Sequence, residues 1–326
     1  MDPIVAGIDI GGSKISIALS TLSGEMISSR RIATDSGSGP AATFEKLSEV
    51  LRRLIDEASR HPEAIGVGSP SPIDLERGVI MSPSNLLEWE DFPIVDLLRN
   101  RFGIPVQLEN DANAAVLGEQ NYGAGRGYQN VFYVTVSTGI GGGVIINGEL
   151  YRGVATAAGE IGHTIIKPDG VRCNCGSIGC LETICGGVHI ARRARERLAT
   201  GEKSMLRDMV GGAQDLSART VIEALRKGDP LAESIWNETC HFLSIGIANS
   251  ISLFAPEVVI IGGGIASAGD LLFEQLRERV PSFVSMVPAG LINIVPAALG
   301  AESGVFGAVA IASKLVSTKL PSKYAA

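Results

Sequence analysis

IVAGIDIGGSKISIALS, Ile4 to Ser20, is the stretch on which the fold turns. An apolar run from Ile4 to Ile10 ends in an aspartate and a glycine pair. Lys14 to Ser20 is apolar again, so Gly11 to Ser13 reads as a tight turn between two strands. A third strand, Glu25 to Ala33, follows the turn at Ser23-Gly24. Phe44, Leu47, Leu51, Leu54 and Ile55 then recur at helical spacing over Phe44 to Ala58. AIGVGSP, Ala64 to Pro70, reads as a buried parallel strand entering a proline-rich loop.

The opening pattern returns in the second half. VFYVTVS (Val131 to Ser137) is a strand, TGIGGG a glycine turn, and VIINGEL (Val144 to Leu150) the returning strand. An internal duplication follows, and two such turns facing each other would clamp phosphate through backbone N–H groups. A run of small residues between strands weakens a sheet unless something approaches the backbone. IIGGGIASAG (Ile260 to Gly269) is a third glycine turn, between a strand and a helix. None of the three fits the Walker pattern or opens the chain as a Rossmann fingerprint, which disfavours a dehydrogenase. Together they point to ATP. Lys14 is a candidate phosphate contact, although a lysine opening a strand is more often simply solvated.

Between the halves, Ile94 to Phe102 is a short helix and IPVQLEN (Ile104 to Asn110) a strand. Asp111 follows at the strand's carboxyl end and is expected to cap a helix from Ala112 to Asn121. For an isolated aspartate that cap would be the whole role. Here the residue sits where open α/β sheets place ligands. Later elements are helices around His189 to Ala199, Ser217 to Lys227 and Leu231 to Phe254, then a strand from Val258 to Gly264. A helix near Asp270 to Val280, a strand near Leu291 to Val295 and a final helix from Ala301 to Leu315 complete the chain.

GEIGHTIIKPDGVRCNCGSIGCLE, Gly159 to Glu182, gathers His163, Cys173, Cys175 and Cys180 in one loop. Nitrogen and thiolate donors so close in sequence read as a tetrahedral Cys3His zinc site. Buried structural thiols or a disulfide are the alternatives, though a reducing cytosol would oppose the latter. Such a site is closed, so zinc would be structural, clamping Glu160 and Glu182 in place.

The chain has 326 residues, enough for two domains, and 45% hydrophobic residues, enough for two cores. A net charge of −7 disfavours a nucleic-acid surface. The start shows no signal-peptide pattern and the apolar segment from Phe242 to Ile265 is broken by Asn249, Pro256 and Glu257. No membrane association and a cytoplasmic location are expected.

Three meandering strands, a helix and a parallel strand resemble the ribonuclease-H-like half of the actin and hexokinase superfamily. The expected fold is therefore a two-domain α/β architecture with a cleft between the lobes. The expected lobes are 1–112 plus 304–326, and 113–303 with the zinc loop. More specifically, DIGGSK, NDANAA (Asn110 to Ala115), STGIGGG, GEIGH and CNCGSIGCLE, in that order, resemble the ROK family and most closely its ATP-dependent glucokinases. That resemblance implies a kinase moving the ATP γ-phosphoryl group to the 6-hydroxyl of a hexose, most closely glucose. It implies that Asp111 is the base and that Asn85, Asn110, Asp111, Glu160, His163 and Glu182 bind sugar. His163, Cys173, Cys175 and Cys180 would hold structural Zn2+. Gly11, Gly12, Ser13 and Lys14 match the first phosphate motif, Thr138 and Gly139 the second, and Gly263 and Gly264 the adenosine motif. Asp9 lies where the family approaches Mg2+. Ser13 stands where threonine is usual and keeps the hydroxyl.

The resemblance also implies a homodimer or higher homo-oligomer. An N-acetylhexosamine kinase, such as one for N-acetylmannosamine, is the runner-up. A fructokinase is disfavoured because this cysteine loop lacks a second histidine. A sugar-responsive ROK regulator would place a helix-turn-helix of many tens of residues ahead of the phosphate motif, which here begins at Asp9. A sugar-binding module without catalysis would be expected to lack Asp111 or a glycine turn.

Overall fold

A computed structural model describes residues 2–34, 39–83, 86 and 88–318. The chain divides into two compact units, Met1–Gly127 with Ala297–Ala326, and Tyr128–Pro296. In the first, β1 (Ile4–Ile10), β2 (Lys14–Thr21) and β3 (Met26–Ala33) form an antiparallel meander. α1 (Gly39–Ala58) then buries Phe44, Leu47, Leu51, Leu54 and Ile55, the stripe that its helical spacing predicts. β4 (Ile65–Ser69) runs parallel to β1 and is fully buried. What reads in sequence as a proline-rich loop contains a two-stranded ribbon, β5 (Ile73–Asp74) and β6 (Val79–Ile80). α2 (Ile94–Phe102) ends at Gly103, whose φ of 70° lets the chain turn into β7 (Val106–Asn110). α3 (Asp111–Tyr122) leaves the end of β7 directly. The sheet order is β3-β2-β1-β4-β7.

The second unit repeats this plan. β8 (Val131–Val136), β9 (Ile140–Ile146) and β10 (Glu149–Leu150) are antiparallel neighbours. After the cysteine loop come α4 (Glu182–Cys185), α5 (Gly187–Ala199), α6 (Ala218–Arg226) and α7 (Pro230–Phe254). β11 (Val258–Gly262) pairs parallel with β8, α8 (Asp270–Phe283) follows, and β12 (Ile294–Pro296) pairs parallel with β11. The order β10-β9-β8-β11-β12 has the same pattern as the first sheet: three antiparallel strands, then two parallel ones. The duplication expected from sequence is thus present in the topology. Among the described residues, no helix is long and apolar enough to cross a membrane.

The chain returns to the first unit as α9 (Ser303–Ser317). It lies on that unit's sheet at close backbone range: a Cβ on Gly7 would sit 2.8 Å from Val305 O, and one on Gly66 would overlap Ala308 O. α3 and α9 cross as closely, since a Cβ on Gly118 would sit 2.6 Å from Ser303 O. This packing explains why the division differs from the expected 112/113 and 303/304 boundaries. α3 belongs to the first unit because its small-residue face, Ala114 and Gly118, rests on α9.

Candidate functional site

In the first unit, Ile10 pairs with Ile15 across the first glycine turn. The turn is held from β3, whose end places Thr34 beside it. The Thr34 amide donates to Ser13 O (3.1 Å) and its hydroxyl to Gly11 O (2.6 Å). Asp9, one residue before the end of β1, is flanked in register by Ser16 and Gly68. Its carboxyl faces the first turn of α9, where a Cβ on Gly304 would come 2.6 Å from Asp9 Cγ. Burial raises the Asp9 pKa to about 7, and the Asp111 charge pushes the same way; Lys14 and Arg31 pull it back in part.

The sequence reading made Asp111 the helix cap, and the structure corrects this. Asn110 is the cap: its Oδ1 accepts from the amides of Ala112 (2.9 Å) and Asn113 (3.1 Å). Asn110 sits in extended backbone at the end of β7, and Asp111 is already helical. Asp111 Oδ1 accepts from Ala112 N as well (2.8 Å). Burial raises the Asp111 pKa, partly opposed by hydrogen bonds from Ala112 N–H and Asn110. The Asn110 amide nitrogen donates to Ser71 Oγ (2.9 Å). Asn85 lies outside the described residues.

Sequence reasoning passed over two buried carboxylates of this unit, and the first of them supports the pair directly. Glu109 is fully buried, and its Oε1 accepts from the Asn110 amide (3.1 Å) and Asn113 Nδ2 (3.1 Å). The strand VQLEN carries Gln107 and Asn110 as well, so nothing in its sequence singled out Glu109 as the buried polar residue. Glu119 is also fully buried and accepts from Ala124 N (2.9 Å), Ala298 N (3.0 Å), Leu299 N (3.0 Å) and Ser303 Oγ (2.8 Å).

In the second unit the phosphate-like turn is shorter than it reads in sequence. Ser137 N donates to Gly139 O (2.9 Å), and Gly141, Gly142 and Gly143 belong to β9, opposite Thr135, Val134 and Tyr133. What approaches these glycines is the chain's own GEIGH segment. A Cβ on Gly142 would overlap Gly159 O and one on Gly162 would overlap Ile140 O. The bare strand therefore lets Gly159, Ile161 and Gly162 pack on it, and these carry Glu160 and His163 between and beside them. Gly263, with φ 84°, has no room for a Cβ beneath Val136 O, and a Cβ on Gly264 would lie 3.8 Å from Ser137 Oγ. The second and third glycine turns are thus adjacent.

The four expected metal donors converge, with all ligand atoms within 4.8 Å of one another. Cys175 Sγ and Cys180 Sγ are 3.6 Å apart, and Cys173 Sγ is 3.7 Å from His163 Nδ1. A tetrahedral zinc with thiolate bonds near 2.3 Å has donor–donor edges of about 3.8 Å, so the set fits the ion. No disulfide joins these cysteines. The Ser177 N–H lowers the Cys175 thiol to about 7, while burial raises Cys173 and takes Cys180 to about 12. His163 turns its other nitrogen toward Glu160, Nε2 to Oε2 being 4.0 Å. Glu182 begins α4 two residues after Cys180, and its Oε2 accepts from Ile140 N (2.8 Å).

The first unit therefore gathers Asp9, the first glycine turn, Asn110 and Asp111. The second gathers Thr138, Gly139, Gly263, Gly264, Glu160, His163, Glu182 and the three cysteines.

The family model described as the ROK family matches residues 5–315. A glucokinase of Thermotoga maritima is 35% identical over 305 residues, 94% of this chain and 96% of that protein. Among solved structures, a ROK hexokinase from Thermus thermophilus is 35% identical with a TM-score of 0.83, covering 97% of this chain and 99% of its own. A ROK family glucokinase from Streptomyces griseus, solved with glucose and AMPPNP, is 32% identical with a TM-score of 0.79, covering 95% and 99%.

Proposed function

The chain belongs to the ROK family and is an ATP-dependent sugar kinase, and from that premise we propose that it phosphorylates the 6-hydroxyl of a hexose, glucose first. The observation that carries the proposal is the group Glu160, His163 and Glu182. One glycine-bared strand and one Cys3His cluster hold an imidazole and two carboxylates in a single compact unit. Carboxylates and imidazole are the acceptors and donors that neighbouring sugar hydroxyls require. The glucokinase relatives favour glucose over an N-acetylhexosamine.

In this reading Asn110, Asp111, Glu160, His163 and Glu182 bind the sugar, and Asn85 joins them. Asp111 accepts the proton as the 6-oxygen attacks the γ-phosphorus and the bond to the β,γ-bridging oxygen breaks, leaving ADP. A carboxyl whose pKa is raised by burial is a stronger base than a free one, as this step asks. Gly11 to Lys14 and Thr138-Gly139 take the phosphates, and Gly263-Gly264 the adenosine. Mg2+, approached by Asp9, supplies charge neutralisation at the phosphates when bound. His163, Cys173, Cys175 and Cys180 hold structural Zn2+. The loose phosphoryl transition state leaves the protein mainly positioning and electrostatics to supply.

The test is ADP release with MgATP across a panel of hexoses. Glucose is expected to give the highest kcat/KM, with mannose and glucosamine weaker and fructose poor. A buried polar group left unpaired costs about 1–3 kcal/mol, or roughly ten- to a hundredfold per missing hydroxyl. A maximum at N-acetylmannosamine would replace glucose and keep the kinase. No stimulation by any hexose would remove the kinase and favour a sugar-responsive regulator.

A further inference from the structure

Glu182 is placed by the family resemblance on the sugar, yet its hydrogen bond in this structure goes elsewhere. Oε2 accepts the amide of Ile140, the first residue after the Ser137–Gly139 turn. Gly139 itself leaves room for that oxygen, because a Cβ there would overlap Glu182 Oε2. Oε1 makes no hydrogen bond among the described residues. The backbone just beyond Glu182 grips the same turn. Gly187 N donates to Ser137 O (2.8 Å) and Val188 N to Thr138 O (3.2 Å). All three bonds come from one stretch, Glu182 to Val188, and the carboxylate is the one side chain among them, added to the Val136–Ile140 pairing and the Ser137 N–H to Gly139 O bond that already shape the turn.

We propose that Glu182 is a shared positioning residue: Oε2 fixes the turn that takes nucleotide phosphate while Oε1 faces a sugar hydroxyl. The inference rests on the kinase reading above, which assigns Thr138 and Gly139 to the nucleotide. Its physical consequence is coupling. A sugar hydroxyl donating to Oε1 orders the carboxylate, and an ordered carboxylate holds Ile140 and the turn in the shape the phosphates meet. Nucleotide and sugar then each bind more tightly in the presence of the other, by the same factor in both directions. The glycine at 139 serves this contact as much as it serves phosphate.

The experiment is calorimetric titration with Mg-AMPPNP in the absence of sugar, and with glucose in the absence of nucleotide. Glu182→Ala is expected to weaken AMPPNP binding by about tenfold, the worth of one hydrogen bond to a charged acceptor. Glu182→Gln keeps an acceptor for Ile140 N–H and is expected to recover most of that loss while glucose binding stays impaired. Gly139→Ala approaches from the other side. Its methyl displaces Oε2, so glucose affinity is expected to fall several-fold although the change lies in the nucleotide turn. Glu182→Ala with wild-type AMPPNP affinity, or Gly139→Ala with wild-type glucose affinity, would overturn the shared role. Wild-type protein that binds AMPPNP but no hexose would overturn the underlying kinase reading instead.

Discussion

Asp9 and Asp111 show how a residue's chemistry is set by what surrounds it. Both are ordinary aspartates in sequence, and burial raises both pKa values, with the Asp111 charge adding to the rise at Asp9, which reaches about 7. For Asp9 the folded pKa lies above the unfolded value of 3.8, so the folded state holds the extra proton between those limits. Stability from this group is complete below about pH 4 and is lost as pH rises through about 7. Ligand-free protein should therefore melt at a lower temperature at pH 8 than at pH 5.5, and Asp9→Asn should lessen the difference. An unchanged pH slope in that variant would show the carboxyl to be ionised throughout. Activity should run the other way, falling on acidification as the two carboxyls take up protons. Asp111→Asn keeps the shape and should cut turnover by roughly 10²–10⁴-fold with sugar binding retained, the usual worth of a positioned base. Wild-type turnover would reduce Asp111 to a helix-start residue, a role that Asn110 already covers.

At the scale of elements, the cysteine loop and β9 work as a pair. Gly141 to Gly143 carry no side chains on β9, so GEIGH packs against bare backbone and its own orientation is fixed by that contact. The loop's other end is fixed by the four donors of the metal cluster. Of the three cysteines Cys175 is the exposed one, so its replacement disturbs the core least. Cys175→Ser protein should purify with well under one zinc per chain by elemental analysis. It should also bind glucose more weakly, since Glu160 and Glu182 flank the loop whose anchor is gone. Full glucose affinity without metal would separate the cluster from the sugar site. Zinc loss should also be hastened by acid, because Cys173 and Cys180 hold their protons strongly and must give them up to bind metal.

On the scale of the molecule, Glu119 secures the place where the chain leaves the first unit and the place where it returns. Four donors meet its carboxylate, from Ala124 on the way out and from Ala298, Leu299 and Ser303 on the way back. A buried charge is tolerable with that many hydrogen bonds and costly with fewer. Glu119→Ala would strand three backbone N–H groups and should lower stability by about 3 kcal/mol or more, read as a lower urea midpoint. A midpoint within error of wild type would mean that water takes the carboxylate's place.

Features that depend on residues near one another along the chain could be read before any folding was known. The strand–turn–strand repeats were legible because short apolar runs and glycine turns are local signals. The metal donors were legible because all four fall within one loop, and the helical stripe of α1 because its period needs only neighbours. Tertiary structure alone decided the rest. Gly141 to Gly143 read as a turn and proved to be strand, because the segment that covers them lies beyond β10. Asp111 read as a cap until Asn110 took the Ala112 and Asn113 amides. The assignment of α3 to the first unit waited on α9, nearly two hundred residues away, whose backbone meets Gly118. Burial of Glu109 and Glu119, and the Glu182 bond to Ile140, have the same origin. A carboxylate carries no sequence mark of the amides that will surround it, because those amides are brought to it only when the sheets and α9 pack.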